Sequence, residues 1–369
     1  MRIRSVTPYW VSLPLTTPIK MSNVTVSTTE NLLVRVEDTD GFVGWGEACS
    51  APTMTGDLPE GLVAGARFMG EQVVGTEVED PAAFFGVVDA MMYGNQGAKS
   101  AIEIAIWDIA GKRAGVPVAE LLGGVVRKEV ANLWMVASGD KAKDVASAKR
   151  LFDEGFVAFK VKVGGKNPEA DLERAAAVRE AIGKEARISA DANQGYSRES
   201  ALKFAEGAEA AGLDFIEQLV DGHDLATMAD IVRATKVPVG ADEGIHSLED
   251  IEKHHRLHAA QGASLKTIKL GGLTPVMQAA RRMDQLGMHI NLAGKVADSS
   301  VASAAIMQLA AAVPQLDWDV SMTCVYLVDD VTIETMRPIR GHGHLPERPG
   351  LGIEVDEAKL TRSFAKLAA

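Results

Sequence analysis

Apolar and polar positions change rhythm once along this chain. Up to about residue 125, strand-like runs come first and helical ones follow. Residues 31–37 (NLLVRVE) and 42–46 (FVGWG) flank the turn DTDG at 38–41 and predict a β-hairpin. Residues 99–114 then place Ile102, Ile106, Ile109 and Ala110 on one helical face. Strands followed by helices predict an α+β unit over 1–125.

From about residue 130 short apolar runs alternate with longer helical ones. The strand candidates are 131–138, 156–163, 187–192, 213–219, 237–242, 264–270, 289–293 and 316–320. Between the sixth and seventh, Thr274 suits a helix N-cap and Pro275 the first helical position. Eight strands alternating with helices, without a nucleotide fingerprint, predict an α/β fold of the (β/α) barrel type. The barrel is assigned to 126–325. A final segment, 326–369, with RPGLG at 348–352, is expected to pack back on the first unit.

Composition narrows the partners. The chain has 369 residues, 47% apolar and 24% charged, and a formal charge of −12, which argues against nucleic acid. Two cysteines, Cys49 and Cys324, exclude a disulfide scaffold and read as buried thiols. The N-terminal stretch, with Pro8 and Pro14, lacks a signal-peptide core, and no apolar run reaches the ~18 residues of a membrane span. A cytoplasmic enzyme is the expectation.

Three acids carry the chemistry. Asp191, Glu217 and Asp242 each close a strand candidate, about one βα unit apart, so they converge at one barrel mouth. Three carboxylates there repel unless a cation sits among them, and an all-oxygen donor set suits Mg²⁺. Each acid alone reads as an ordinary strand-end carboxylate. Lys160 and Lys162 share one face of a strand, which on a central barrel strand is the interior. The plain alternative is an edge strand with lysine gatekeepers. A second ammonium nearby disfavours the protonated form of its neighbour, so Lys160 is expected to tune Lys162 as a general base. Lys266 lies one unit past Asp242, on strand six, across the mouth from Lys162 on strand two. Lys269, three residues on, is expected to face outward or to sit at the strand end.

These motifs resemble the muconate-lactonising subgroup of the enolase superfamily. The likeness runs through Lys160-Val161-Lys162, Asp191 with Asn193, Glu217-Gln218, Asp242-Glu243 and Lys266 ahead of Gly271-Gly272. It includes GWGEA at 44–48 and PGLGIEVDE at 349–357. It implies a (β/α)₇β barrel, a capping domain made from both chain ends, and one Mg²⁺ per subunit binding a small-molecule carboxylate. It also implies an enolate intermediate, homo-oligomerisation, and mobile capping loops at 17–30 and 50–57.

The substrate is read from strand seven and the segment after it. Strand eight is taken to end in Asp317-Trp318-Asp319, resembling an Asp-x-Asp that holds a substrate amine in related dipeptide epimerases. Trp318 would either add a cation–π contact or pack on a helix. Lys295 either binds a second anionic group or is a solvated loop lysine, and Asp298 matches an acid common at that place. His289 is expected to be structural, His246 to serve its loop, and His254, His255 and His258 to form a solvated helix face. The leading expectation is a racemase or epimerase of an amino-acid derivative: an N-substituted amino acid, a proline derivative or a dipeptide. The alternatives are a lyase dehydrating a hydroxylated amino acid such as a hydroxyproline, and a cycloisomerase.

Overall fold

The structure, a computed structural model, describes residues 1–20 and 25–366. Strands Ile3–Lys20, Thr25–Asp38 and Val43–Cys49 form an antiparallel sheet, and Ala365–Lys366 joins its edge beside Trp10 and Val11. The hairpin read at 31–37 and 42–46 is therefore the inner part of two longer strands. Asp38 fixes its turn by accepting the backbone N–H groups of Asp40 and Phe42, each at 2.9 Å. Helices Pro59–Val73, Pro81–Met91 and Gln96–Ala114 pack on this sheet. A Cβ at Gly46 would stand 1.9 Å from the Ala101 carbonyl, so glycine is what lets the third strand lie on the third helix.

Segment 17–30, expected to be a mobile loop, is instead the end of the long hairpin: Ile19 and Lys20 pair with Val26 and Thr25. Positions 21–24 of that expectation lie outside the described residues.

The second layer is a parallel barrel. Its strands are Trp134–Val136, Ala158–Lys162, Arg187–Asp191, Phe215–Glu217, Val239–Ala241, Gly262–Leu265, His289–Ala293 and Val320–Ser321, paired in that order. The Leu133 N–H donates to Val320 O at 2.7 Å and draws the last strand to the first. Two of the expected strands are shifted. Strand six ends at Leu265, and Thr267–Leu270 coils into one helical turn. Strand eight begins at Val320, so Asp317-Trp318-Asp319 precedes it and lies at the opposite, N-terminal end of the barrel. Asp319 takes a positive φ of 61°, so period-two alternation does not run through the trio, and the strand starts later than expected.

The two layers are joined by buried acids. Glu103, on the helix Gln96–Ala114, accepts from Leu273 N at 2.7 Å, Thr274 N at 2.8 Å and Trp107 Nε1 at 2.9 Å. It caps the barrel helix Leu273–Gln285 from another domain, the role expected of Thr274, which is already inside that helix. Glu47 likewise accepts from Ser299 N and Ala302 N, each at 2.9 Å, at the start of the helix Ser300–Ala312. Asp108 accepts from Trp45 N and from Leu351 N, tying the C-terminal segment to the sheet. No helix among the described residues is long and apolar enough to cross a membrane.

Glu103→Ala leaves buried N–H groups without an acceptor and is expected to cost about 2–3 kcal/mol of unfolding free energy. Glu103→Gln, which keeps an acceptor, is expected to cost clearly less. Urea denaturation checks both, and equal losses would contradict the capping role.

Candidate active site

Strand register assembles the site. In the parallel ladder Lys162 pairs with Asp191, and Asp191 with Glu217, so these three side chains stand in one row at the C-terminal rim. Asp242 follows strand five, and Lys266 follows strand six on the facing wall. All three acids are about 1% exposed. Each is met by an ammonium. Lys160 lies 2.5 Å from Glu217 Oε2, Lys162 lies 2.5 Å from Asp191 Oδ2, and Lys266 contacts Asp242.

Lys269 belongs to the same cluster. The helical turn Thr267–Leu270 swings it inward, fully buried. It donates to the Asp242 carbonyl, to Asp242 Oδ1 at 2.7 Å and to Ser264 O at 3.0 Å. The expectation that it faces outward fails because the residues there are helical, not extended. Ser264, also unremarked in the sequence, donates to Glu217 Oε1 at 2.9 Å.

The supporting residues share the acids' neighbourhood. Asn193 accepts from Lys162 at 2.8 Å and donates to Glu243 Oε1 at 3.0 Å. Gln218 accepts from Asp242 N at 2.8 Å and Gly244 N at 3.0 Å, which fixes the backbone leaving strand five. Asn193, Gln194 and Gln218 all take positive φ, at 42°, 65° and 37°. Such strained non-glycine backbone concentrates at functional sites.

Charge balance is close. Four carboxylates (Asp191, Glu217, Asp242, Glu243) share a buried space with four ammoniums (Lys160, Lys162, Lys266, Lys269). Burial acts to raise the Asp242 carboxyl, but Lys266 and Lys269 outweigh it and hold the group well below the usual range. Burial pushes Glu217 up, and Asp191 and Asp242 add to the rise against the pull of Lys160. Glu243 is pushed up to about 7 by burial and by the charges of Asp242 and Asp191. Burial acts to lower Lys160, yet Glu217 and Asp191 carry it above the ordinary lysine range. Lys160 therefore faces Lys162 as a neutralised partner of Glu217, not as the bare positive charge expected to tune it.

The oxygen-only donors Asp191, Glu217 and Asp242 suit a hard divalent cation, and the unpartnered, buried Glu243 Oε2 leaves further negative charge beside them. Among the described residues no three acidic, histidine or cysteine side chains already stand in coordination geometry. Ammonium groups hold the oxygens that an ion would take.

Above the cluster is a cavity of about 140 Å³. Lys162 and Lys266 line it from opposite walls, Lys295 and Val296 from strand seven, and Ser321, Thr323 and Tyr326 from strand eight. Leu133 and Met135 complete the wall, and Thr53 and Met54 of the 50–57 loop cover it. The strand-eight residues were missed because that strand was placed too early. His246 Nε2 lies 2.9 Å from Met54 O and ties the covering loop to the exit of strand five.

Asp317, Trp318 and Asp319 are corrected. Asp317 Oδ2 lies 2.5 Å from His289 Nδ1, and Asp319 is paired with Arg187, at the barrel floor. Trp318 stacks on Phe215 with centroids 4.1 Å apart and on His289 at 5.1 Å. A Cβ at Gly262 would lie 2.5 Å from that indole. The trio closes the bottom of the barrel and does not line the cavity. Asp298 does not line it either: it is buried behind Lys295, whose N–H it accepts at 2.8 Å. His254 is buried, 1% exposed, rather than solvated with His255 and His258. Cys49 and Cys324 are free and buried, and burial pushes each thiol up to about 12.

Comparison with known proteins places these observations. A profile described as "Mandelate racemase / muconate lactonizing enzyme, N-terminal domain" matches residues 4–123, and one described as "Enolase C-terminal domain-like" matches 143–359. A chloromuconate cycloisomerase of Cupriavidus pinatubonensis is 32% identical, over 97% of each chain. The muconate lactonizing enzyme of Pseudomonas fluorescens, solved with muconolactone, superposes with a TM-score of 0.94 at 30% identity, over 98% of each chain. A dipeptide epimerase of Cytophaga hutchinsonii, solved with Mg and D-Ala-L-Val, gives 0.92 at 28% identity, over 98% of each.

Trp318→Ala is expected to cost about 3–5 kcal/mol of stability by emptying the barrel floor. Asp317→Asn is expected to lower Tm while leaving substrate KM unchanged. A raised KM with unchanged Tm would return Asp317 to the binding site.

Proposed function

This chain belongs to the muconate-lactonizing subgroup of the enolase superfamily, and we propose that it removes the proton α to a carboxylate and returns one to the opposite face. The observation that carries this reading is the pair Lys162 and Lys266, on strands two and six, facing one cavity across one acid cluster. A two-base proton transfer needs a base on each face of the substrate. Asn193 orients Lys162 through its 2.8 Å hydrogen bond. Lys160 and Lys269 stay bound to Glu217 and Asp242 and keep the carboxylates apart.

Asp191, Glu217 and Asp242 would hold Mg²⁺, which when bound supplies positive charge to the substrate carboxylate as its α-carbon loses a proton. Lys162 and Lys266 would then release Asp191 and Asp242 and turn to the substrate. Thr53 and Met54 line the cavity, and closure of their loop over a substrate would exclude water from it.

The cavity also limits the substrate. At about 140 Å³ it matches a void able to hold roughly one benzene-sized ring. Among the described residues no carboxylate outside the acid cluster lines it, so none there pairs with the free ammonium of a dipeptide. We therefore favour racemisation or epimerisation of a compact, N-substituted amino acid whose nitrogen carries no charge, such as an N-acylated one.

The test is α-deuterium incorporation in D₂O with Mg²⁺ across N-substituted amino acids, prolines, hydroxyprolines and muconate-type diacids. Exchange into both enantiomers is expected. Lys162→Ala and Lys266→Ala are each expected to lower turnover by about 10²-fold or more. Exchange accompanied by loss of water and formation of a keto acid would replace epimerisation with dehydration. Absence of exchange with ring closure of a diacid would replace it with cycloisomerisation.

A further inference from the structure

Four lysines line the cavity, and one of them is not engaged. Lys160, Lys162 and Lys266 each contact a carboxylate. Lys295 lines the same space, and its ammonium makes no hydrogen bond or ion pair among the described residues. Its backbone, by contrast, is tightly held. The Lys295 N–H donates to Asp298 Oδ2 at 2.8 Å, and Lys295 O accepts from Thr323 Oγ1 at 2.6 Å and from Asp298 N at 2.9 Å. Gly294 N donates to Ser321 O at 2.9 Å, which locks the exit of strand seven to strand eight.

A pinned main chain carrying an unpaired cation into a cavity is what a recognition residue requires. The acid nearest in sequence, Asp298, forms no ion pair with it among the described residues. Its Oδ2 accepts the Lys295 backbone N–H, its Oδ1 has no hydrogen-bond partner, and burial, with Glu47 adding repulsion, pushes its protonation well above the usual range. Among the described residues no acid outside the cluster lines the cavity. An ammonium in this position therefore favours an oxygen acceptor on the substrate and disfavours a second positive charge.

We propose that Lys295 is a specificity-determining residue that binds an oxygen on the end of the substrate remote from the metal-held carboxylate, preferring an anionic oxygen to a neutral one. This rests on the reading that the acid cluster and its metal hold one carboxylate. It adds that accepted substrates carry a second oxygen group, whether carboxylate, acyl carbonyl or hydroxyl.

Binding tests this without turnover. Butyrate, 4-hydroxybutyrate and succinate share a four-carbon chain and differ only in the distal group. Each is titrated calorimetrically into the Mg²⁺-loaded protein, wild type and Lys295→Met. Wild type is expected to bind succinate most tightly, then 4-hydroxybutyrate, then butyrate, with about tenfold or more between the extremes. Lys295→Met is expected to bring all three to the butyrate value, with Tm of the free protein unchanged, and Lys295→Arg to keep the order. Equal binding of the three by wild type, or an order that survives in Lys295→Met, overturns the assignment of Lys295 alone. If none of the three binds wild type, the carboxylate-holding reading fails, and this proposal with it.

Discussion

Everything at the barrel mouth depends on keeping buried charge compensated. Removing one partner of a buried ion pair commonly costs about 3–5 kcal/mol, because the other charge is left in a medium that cannot solvate it. Here four carboxylates and four ammoniums are folded into one cluster, so changing one member leaves its partner's charge uncompensated. The strand register sets the row Lys162, Asp191, Glu217, and the turn after strand six supplies Lys266 and Lys269 to Asp242. The arrangement is balanced without a metal. A divalent ion adds positive charge that a deprotonated carboxylate substrate can offset. A bound metal ion would compete with the lysines for the same few carboxylate oxygens.

The capping domain is part of this balance. Glu103 and Glu47 reach from the first layer to cap the barrel helices that follow strands six and seven. Those strands carry Lys266 and Lys295. The loop of Thr53 and Met54 starts just past Cys49, and His246 holds it from the exit of strand five. The lid, the facing lysine and the unpaired lysine are thus positioned by contacts between domains. A barrel alone would leave the helix N-termini uncapped and the cavity open.

Much of this was legible in the chain. Strand-end acids one βα unit apart, and lysines two apart on a central strand, follow directly from barrel geometry. What escaped were boundaries. Lys269 was read as outward because an extended strand was carried three residues too far, into a turn of helix. Asp317 and Asp319 were read into the mouth because an apolar-polar alternation does not tell where a strand starts. The two-residue strand Val320–Ser321 has too little pattern to fix its own register. Thr274 resembled a cap, but the capping group is Glu103, 171 positions earlier in the chain. Contacts across that separation leave no local signature. Lys295 stands out in the sequence by its unexpected charge, and only the packing around it shows that the charge is unpaired among the described residues.

The chemistry of the barrel mouth turns on whether the acid row takes a metal ion. The direct measurement is calorimetric titration of Mg²⁺ into wild type and into Glu217→Gln, with the fold of each checked by circular dichroism. One ion per chain is predicted for wild type, with affinity falling by about tenfold or more in the variant. A folded wild type that binds no Mg²⁺, or a folded Glu217→Gln that binds it as tightly, would contradict the account at its centre.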